Sequence, residues 1–162
     1  MLSTLTDRLW KRILWIAALA LLAYLPAALQ LTYYRNDWYY AYDAMVGPVG
    51  VFRHMFAEDR PARGPFFEIY HALFGIAPTP YHLAMLFWRI ASGAAVAWLS
   101  HLLWPRRAAA GLLAGALFAI YPGFTWWVQG IEYQPMVASA ALMVISFALT
   151  LQALRPQGSN TS

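Results

Sequence analysis

The chain has 162 residues, 61% of them hydrophobic and 11% charged, with a formal net charge of +4 and no cysteine. So few polar side chains cannot cover a globular surface, and the apolar residues fall in runs of about twenty, which indicates an integral membrane protein. Without cysteine there is no disulfide framework, thiolate metal site or cysteine nucleophile, and basic residues beside the apolar runs rather than on a face interleaved with aromatics argue against nucleic acid as a partner.

The first run, Trp10 to Leu31, follows Arg8 and includes Lys11 and Arg12. It has the length of a membrane span and no small-x-small cleavage site before its end, so it reads as a retained helix and not a secretory signal, with Pro26 bending its outer end. The segment from Thr32 to Thr79 is aqueous and gathers Asp37, Asp43, Glu58, Asp59 and Glu68; only Asp7 and Glu132 lie elsewhere. Within it, Trp38 to Phe56 is aromatic but cut at Gly47-Pro48, which predicts two short pieces lying on the membrane surface. Pro65 to Phe74 carries Phe66, Ile69, Tyr70, Leu73 and Phe74 at helical spacing, an interfacial amphipathic helix with Gly75 as its stop. Thr79 is placed to cap the second span, with Pro80 in its first turn.

Three more spans follow: Tyr81 to Trp104, Ala108 to Trp127 and Met136 to Leu154. Each is long enough for a hydrocarbon core of about 30 Å at about 1.5 Å per residue. Gly111 and Gly115, extended by Ala108 and Ala119, form a small-xxx-small series that lets a helix approach closely, within this chain in preference to a second copy. The polar end from Gln157 to Ser162 is expected to be disordered. The expected fold is therefore an all-α membrane protein, one domain over residues 1–156, with four transmembrane helices and a long outer loop carrying short interfacial helices. Arg8, Lys11, Arg12, Arg106, Arg107 and Arg155 share one side, which predicts cytoplasmic termini and an outer loop facing away from the cytoplasm.

The candidate chemistry lies mostly at the outer face. Asn36-Asp37 follows the first span amid Tyr33, Tyr34, Trp38, Tyr39 and Tyr40, where a partly desolvated carboxylate suits a general base or a metal ligand; the alternative is an ordinary solvated turn. Glu132, the acid of the short connection before the last span, either meets Asp37, so that the pair binds a divalent cation or divides acid and base roles, or stands as a lone exposed charge. In the second span His82, Met85, Arg89, Ser92, Gly93, Val96 and Ser100 follow one helical stripe. An arginine within a span costs roughly 2.5 to 3.5 kcal/mol on insertion scales, so Arg89 is expected to face an acid or an anionic lipid headgroup. His54, His71 and His101 lack ligand spacing and read as scaffold.

Three stretches, Arg63-Gly-Pro-Phe-Phe, Ala72-Leu-Phe-Gly-Ile-Ala-Pro-Thr-Pro-Tyr-His-Leu and Ala116-Leu-Phe-Ala-Ile-Tyr-Pro-Gly-Phe, resemble the N-terminal part of polytopic GT-C glycosyltransferases, the group that includes protein O-mannosyltransferases and lipid A aminoarabinose transferases. The resemblance covers nearly the whole chain and rests on the order of its features. It implies transfer of a sugar from a polyprenyl-phosphate carrier, with inversion, at the outer face of a bacterial cytoplasmic membrane. By position Asp37 matches the first-loop catalytic acid, which activates the acceptor as general base, and Glu132 the acid of the second outer loop; a divalent metal is the cofactor that such an acid pair suits. Asn36, Arg63, His82 and Arg89 are the candidate substrate-binding residues; the resemblance assigns Arg63 and Arg89 no role, and they are placed as contacts for the carrier phosphate. Asn36 stands where the family usually has a second acid, and family enzymes have many more spans, which implies a module working with other membrane chains. The alternative expectation is a non-catalytic, structural or lipid-binding subunit of a larger membrane complex.

Overall fold

The computed structural model describes residues 2–121 and 128–154, with side chains from residue 9 onward. The described elements are all helical: α1 (Leu2–Ala28), α2 (Asp37–Val46), α3 (Val51–Phe56), α4 (Arg63–Phe74), α5 (Pro78–Leu103), α6 (Ala108–Ile120) and α7 (Gln134–Leu154). Three stretches are long and apolar enough to cross a membrane: Leu9–Ala28, Pro78–Leu103 and Gln134–Leu154. Their large side chains stay exposed, Leu22 at 78% and Phe147 at 58%, as lipid-facing residues do and a water-soluble bundle would not.

The expected third span differs. Its described part, α6, has 13 residues, about 20 Å at the rise of an α-helix and short of a ~30 Å core. The remainder of the stretch expected to reach Trp127, residues 122–127, lies outside the described residues, as does the polar end expected to be disordered. The start of the second span is also corrected. Its helix opens at Pro78, so Thr79 is already helical and not the cap, while Pro80 lies in the first turn as expected. The physical reason is that a proline at the first helical position gives up an N–H that would be unpaired there and brings a preset φ.

The chain packs as two compact units. One comprises the described residues of 1–23, 89–121 and 138–162, and small residues set its packing. A Cβ on Gly93 would lie 2.7 Å from both the Ala119 Cβ and the Gly115 carbonyl, and one on Gly115 would lie 2.5 Å from the Gly93 carbonyl. The small-residue series of α6 is thus used against α5 of the same chain, as the sequence favours. Because both obstacles include backbone, Gly93→Ala should cost about 1–3 kcal/mol through overpacking. Thermal unfolding of the detergent-solubilised protein measures that loss.

The other unit comprises the described residues of 24–88 and 122–137. Its core is aromatic: Phe52, Phe56, Phe67, Tyr81 and Ile131 are buried, with Tyr33, Tyr40, Phe66, Tyr70 and Phe74 packed around them. Tyr40 and Phe67 have ring centroids 5.0 Å apart, and Phe66 stacks on Tyr70 at 4.5 Å. The break expected at Gly47-Pro48 separates α2 from α3, and Gly50, at φ 84, supplies the left-handed residue from which α3 starts. Gly75, at φ 59, ends α4 as expected. Helix α2 turns Asp37 and Ala41 inward and leaves Trp38, Tyr39, Tyr42, Met45 and Val46 exposed, the pattern of a helix with one face on a lipid surface.

Candidate functional site

Asp37 opens α2. The preceding turn carries Arg35 in the left-handed region at φ 51, and the Asp37 amide donates to the Tyr34 carbonyl at 3.2 Å. This turn points the carboxylate inward. Asp37 is 0% exposed, and its Oδ1 accepts hydrogen bonds from the amides of Ile131 at 3.1 Å and Glu132 at 2.9 Å. The acid nearest the first span is thereby bonded to the backbone of the segment that leads into α7.

The neighbouring residues strengthen the same tie. Asn36 donates through Nδ2 to the two carboxylate oxygens of Glu132, at 3.1 and 3.0 Å. Arg63 donates through Nη2 to the Glu132 carbonyl and lies over the rings of Phe56 and Phe67, 5.2 and 5.5 Å from their centroids. His82 places Nε2 3.1 Å from the Thr32 carbonyl. Gly130 packs on the other side of that imidazole, where a Cβ would come within 2.8 Å of Nδ1. Asn36, Asp37, Arg63, His82 and Glu132 therefore all meet the segment 130–132 or the turn before α2.

Arg89 belongs to the other unit. It is 6% exposed and donates from Nε to the Ala119 carbonyl at 2.7 Å and from Nη2 to the Tyr121 carbonyl at 2.5 Å. Both acceptors are carbonyls at the C-terminal end of α6, which a cation complements as donor and against the helix dipole. These bonds explain how an arginine is accommodated on the buried stripe of α5.

Burial pushes the Asp37 carboxyl up from 3.8 to about 6. The amides of Glu132, Ile131 and Gly130 pull the other way, and the Glu132 charge adds to the rise. A carboxyl poised there is ionised at neutral pH yet basic enough to take a proton in a reaction. Several buried polar atoms of these residues have no hydrogen-bond partner among the described residues: Asp37 Oδ2, Arg63 Nε, His82 Nδ1, Gln129 Oε1 and Gln134 Oε1. Such atoms are rare in folded proteins, and their concentration around residues 129–134 marks a place suited to water or a hydroxyl-bearing ligand.

Gln129 and Gln134 are residues that sequence reasoning passed over. Both are buried, and Gln134 donates to the Tyr81 carbonyl at 3.3 Å. The available signal was a pair of amide side chains flanking Gly130-Ile131-Glu132 in a tight connection. The residues do not fit the divalent metal expected between the two acids. A hard cation takes several oxygen ligands, whereas Asp37 Oδ1 is taken by two amides and the Glu132 carboxylate faces the Asn36 amide nitrogen, a donor. Among the described residues no three His, Asp or Glu side chains gather as a ligand set, so no step is routed through a metal.

Among the described residues, fold and site together define an all-helical protein with three helices long and apolar enough to cross a membrane, and with an acid-bearing clasp between its first long loop and the segment before α7. No family model, curated protein or solved structure matches it.

Proposed function

We propose that the chain is a module of a GT-C-like membrane glycosyltransferase that, with other membrane chains, transfers a sugar from a polyprenyl-phosphate carrier at the outer membrane face. The observation that carries this reading is the meeting of Asp37 and Glu132, acids 95 residues apart in sequence, through the hydrogen bond from the Glu132 amide to Asp37 Oδ1. On this reading Oδ1 is fixed by amides and Oδ2 is the working oxygen. The acceptor hydroxyl loses its proton to Asp37 as its oxygen attacks the anomeric carbon, and the bond from that carbon to the carrier phosphate breaks, its electron pair leaving with the phosphate. Arg63 lends positive charge to the neighbourhood, and Asn36 orients Glu132 toward the acceptor.

One observation favours a second reading. The Asp37 side chain is fully buried, as suits a purely structural clasp in a non-catalytic subunit of a larger membrane complex. Membranes containing the chain and its native partners, supplied with labelled polyprenyl-phosphate sugars, separate the two. Label transfer that depends on the chain and is lost in Asp37→Asn supports the enzyme, whereas transfer or assembly indifferent to that substitution supports the structural subunit.

A further inference from the structure

We propose that the groove at the arginine-rich turn between α5 and α6 binds one anionic phospholipid, its phosphate on Arg107 and the start of an acyl chain along Ala110 and Ala114. This site is independent of the sugar-transfer reading. The turn is tight: the Trp104 amide donates to the Ser100 carbonyl at 2.8 Å and the Arg107 amide to the Trp104 carbonyl at 3.0 Å. It sets Trp104, Arg107, Ser100, Ala110, Gly111 and Ala114 around an open groove of about 260 Å³. Gly111 makes the floor, close enough to α5 that a Cβ there would lie 3.3 Å from the Ser100 Cβ.

Size and charge select the occupant. Pockets for whole drug-sized molecules span roughly 300–1,000 Å³, so this groove suits part of a longer ligand, a headgroup with its first methylenes. Arg106 and Arg107 are exposed, and the ion pairs found among the described residues, Arg53 with Glu68 and Arg60 with Asp59, involve neither. Trp104, 57% exposed beyond the end of α5, is placed as an interfacial aromatic, which sets the arginines at headgroup depth and the alanines toward hydrocarbon. A cation at headgroup level above an apolar notch is complementary to a phosphodiester carrying an acyl chain.

Native mass spectrometry of the detergent-purified chain tests the site by titration with phosphatidylglycerol and with phosphatidylcholine of the same acyl chains. The parent should retain one phosphatidylglycerol in clear preference to phosphatidylcholine. Arg107→Gln should weaken that retention about fivefold, the worth of one interfacial cation. Ala114→Leu, which fills the notch at an exposed position and leaves every charge in place, should weaken it by a similar factor with helix content unchanged, and Ala110→Leu provides a second filler. Equal retention of the two lipids, displacement by millimolar inorganic phosphate, or parent-like binding by both fillers would overturn the proposal. So would a dimer of the parent that the fillers dissociate, since a second helix would then occupy the notch.

Discussion

Asp37→Asn should reduce sugar transfer by about 10²–10⁴-fold, the usual contribution of a positioned general base, while leaving the fold intact. Asparagine keeps an oxygen that can accept from the Ile131 and Glu132 amides, so the clasp survives and the base does not. Asp37→Ala removes that acceptor as well, and two amides without it should cost about 2–4 kcal/mol of stability. The pH dependence separates these effects further. The folded-state value, about 6, stands above the ordinary 3.8, so the folded protein holds the Asp37 proton more tightly than the unfolded chain does. The stability this gives is fully present below about pH 4 and is lost as pH rises through about 6, a loss on the order of 3 kcal/mol. Transfer runs the other way and should rise through the same range as the base ionises. The asparagine variant, neutral throughout, should lack that decline. Thermal unfolding at pH 4 and pH 7.5 beside a pH–rate profile checks both signs, and a parent whose stability rises across this range would contradict the assignment.

Arg63→Met should destabilise the unit that contains α2 to α4 by about 3 kcal/mol. Arg63 is 7% exposed, donates to the Glu132 carbonyl and lies against two aromatic rings. A hydrogen bond from a charged group and two desolvated cation–π contacts together support a loss of that size. Methionine keeps much of the stem's packing, so the deficit reports the guanidinium and not a cavity. Arg63→Lys should recover charge but not the planar contact with the rings, and so should restore only part of the stability. Limited proteolysis within residues 51–74 reads that unit directly. Cleavage of Arg63→Met as slow as that of the parent would show the guanidinium to be dispensable.

The helical class and the short helices of the loop were legible because the signals were local. Gly47-Pro48 cannot continue a helix, Gly75 adopts φ 59, and the spacing of Phe66, Tyr70 and Phe74 is helical. The start of α5 was misplaced because Pro78 and Pro80 both suit a first turn and nothing local ranks them. The partners of Arg89 were unreadable for a different reason. They include carbonyls at the end of α6, and backbone oxygens leave no trace in a sequence. Asp37 and Glu132 were singled out as acids, but sequence reasoning sought a carboxylate pair where the structure bonds Asp37 to the main chain of residues 131 and 132. Gln129 and Gln134 went unremarked because neutral amides become informative only once they are buried.

The turn before α2 and the segment before α7 meet through Asp37, and on the proposed function they do so at the outer membrane face. The native chain has no cysteine, so Asn36→Cys with Glu132→Cys gives a clean pair where the native side chains are 3.0 Å apart. Intact cells treated with a short, membrane-impermeant bifunctional thiol reagent, followed by cleavage at the intervening arginines, provide the measurement. The two fragments should remain joined in cells with sealed membranes. Fragments that separate although both thiols have reacted, or that join only after permeabilisation, would contradict it.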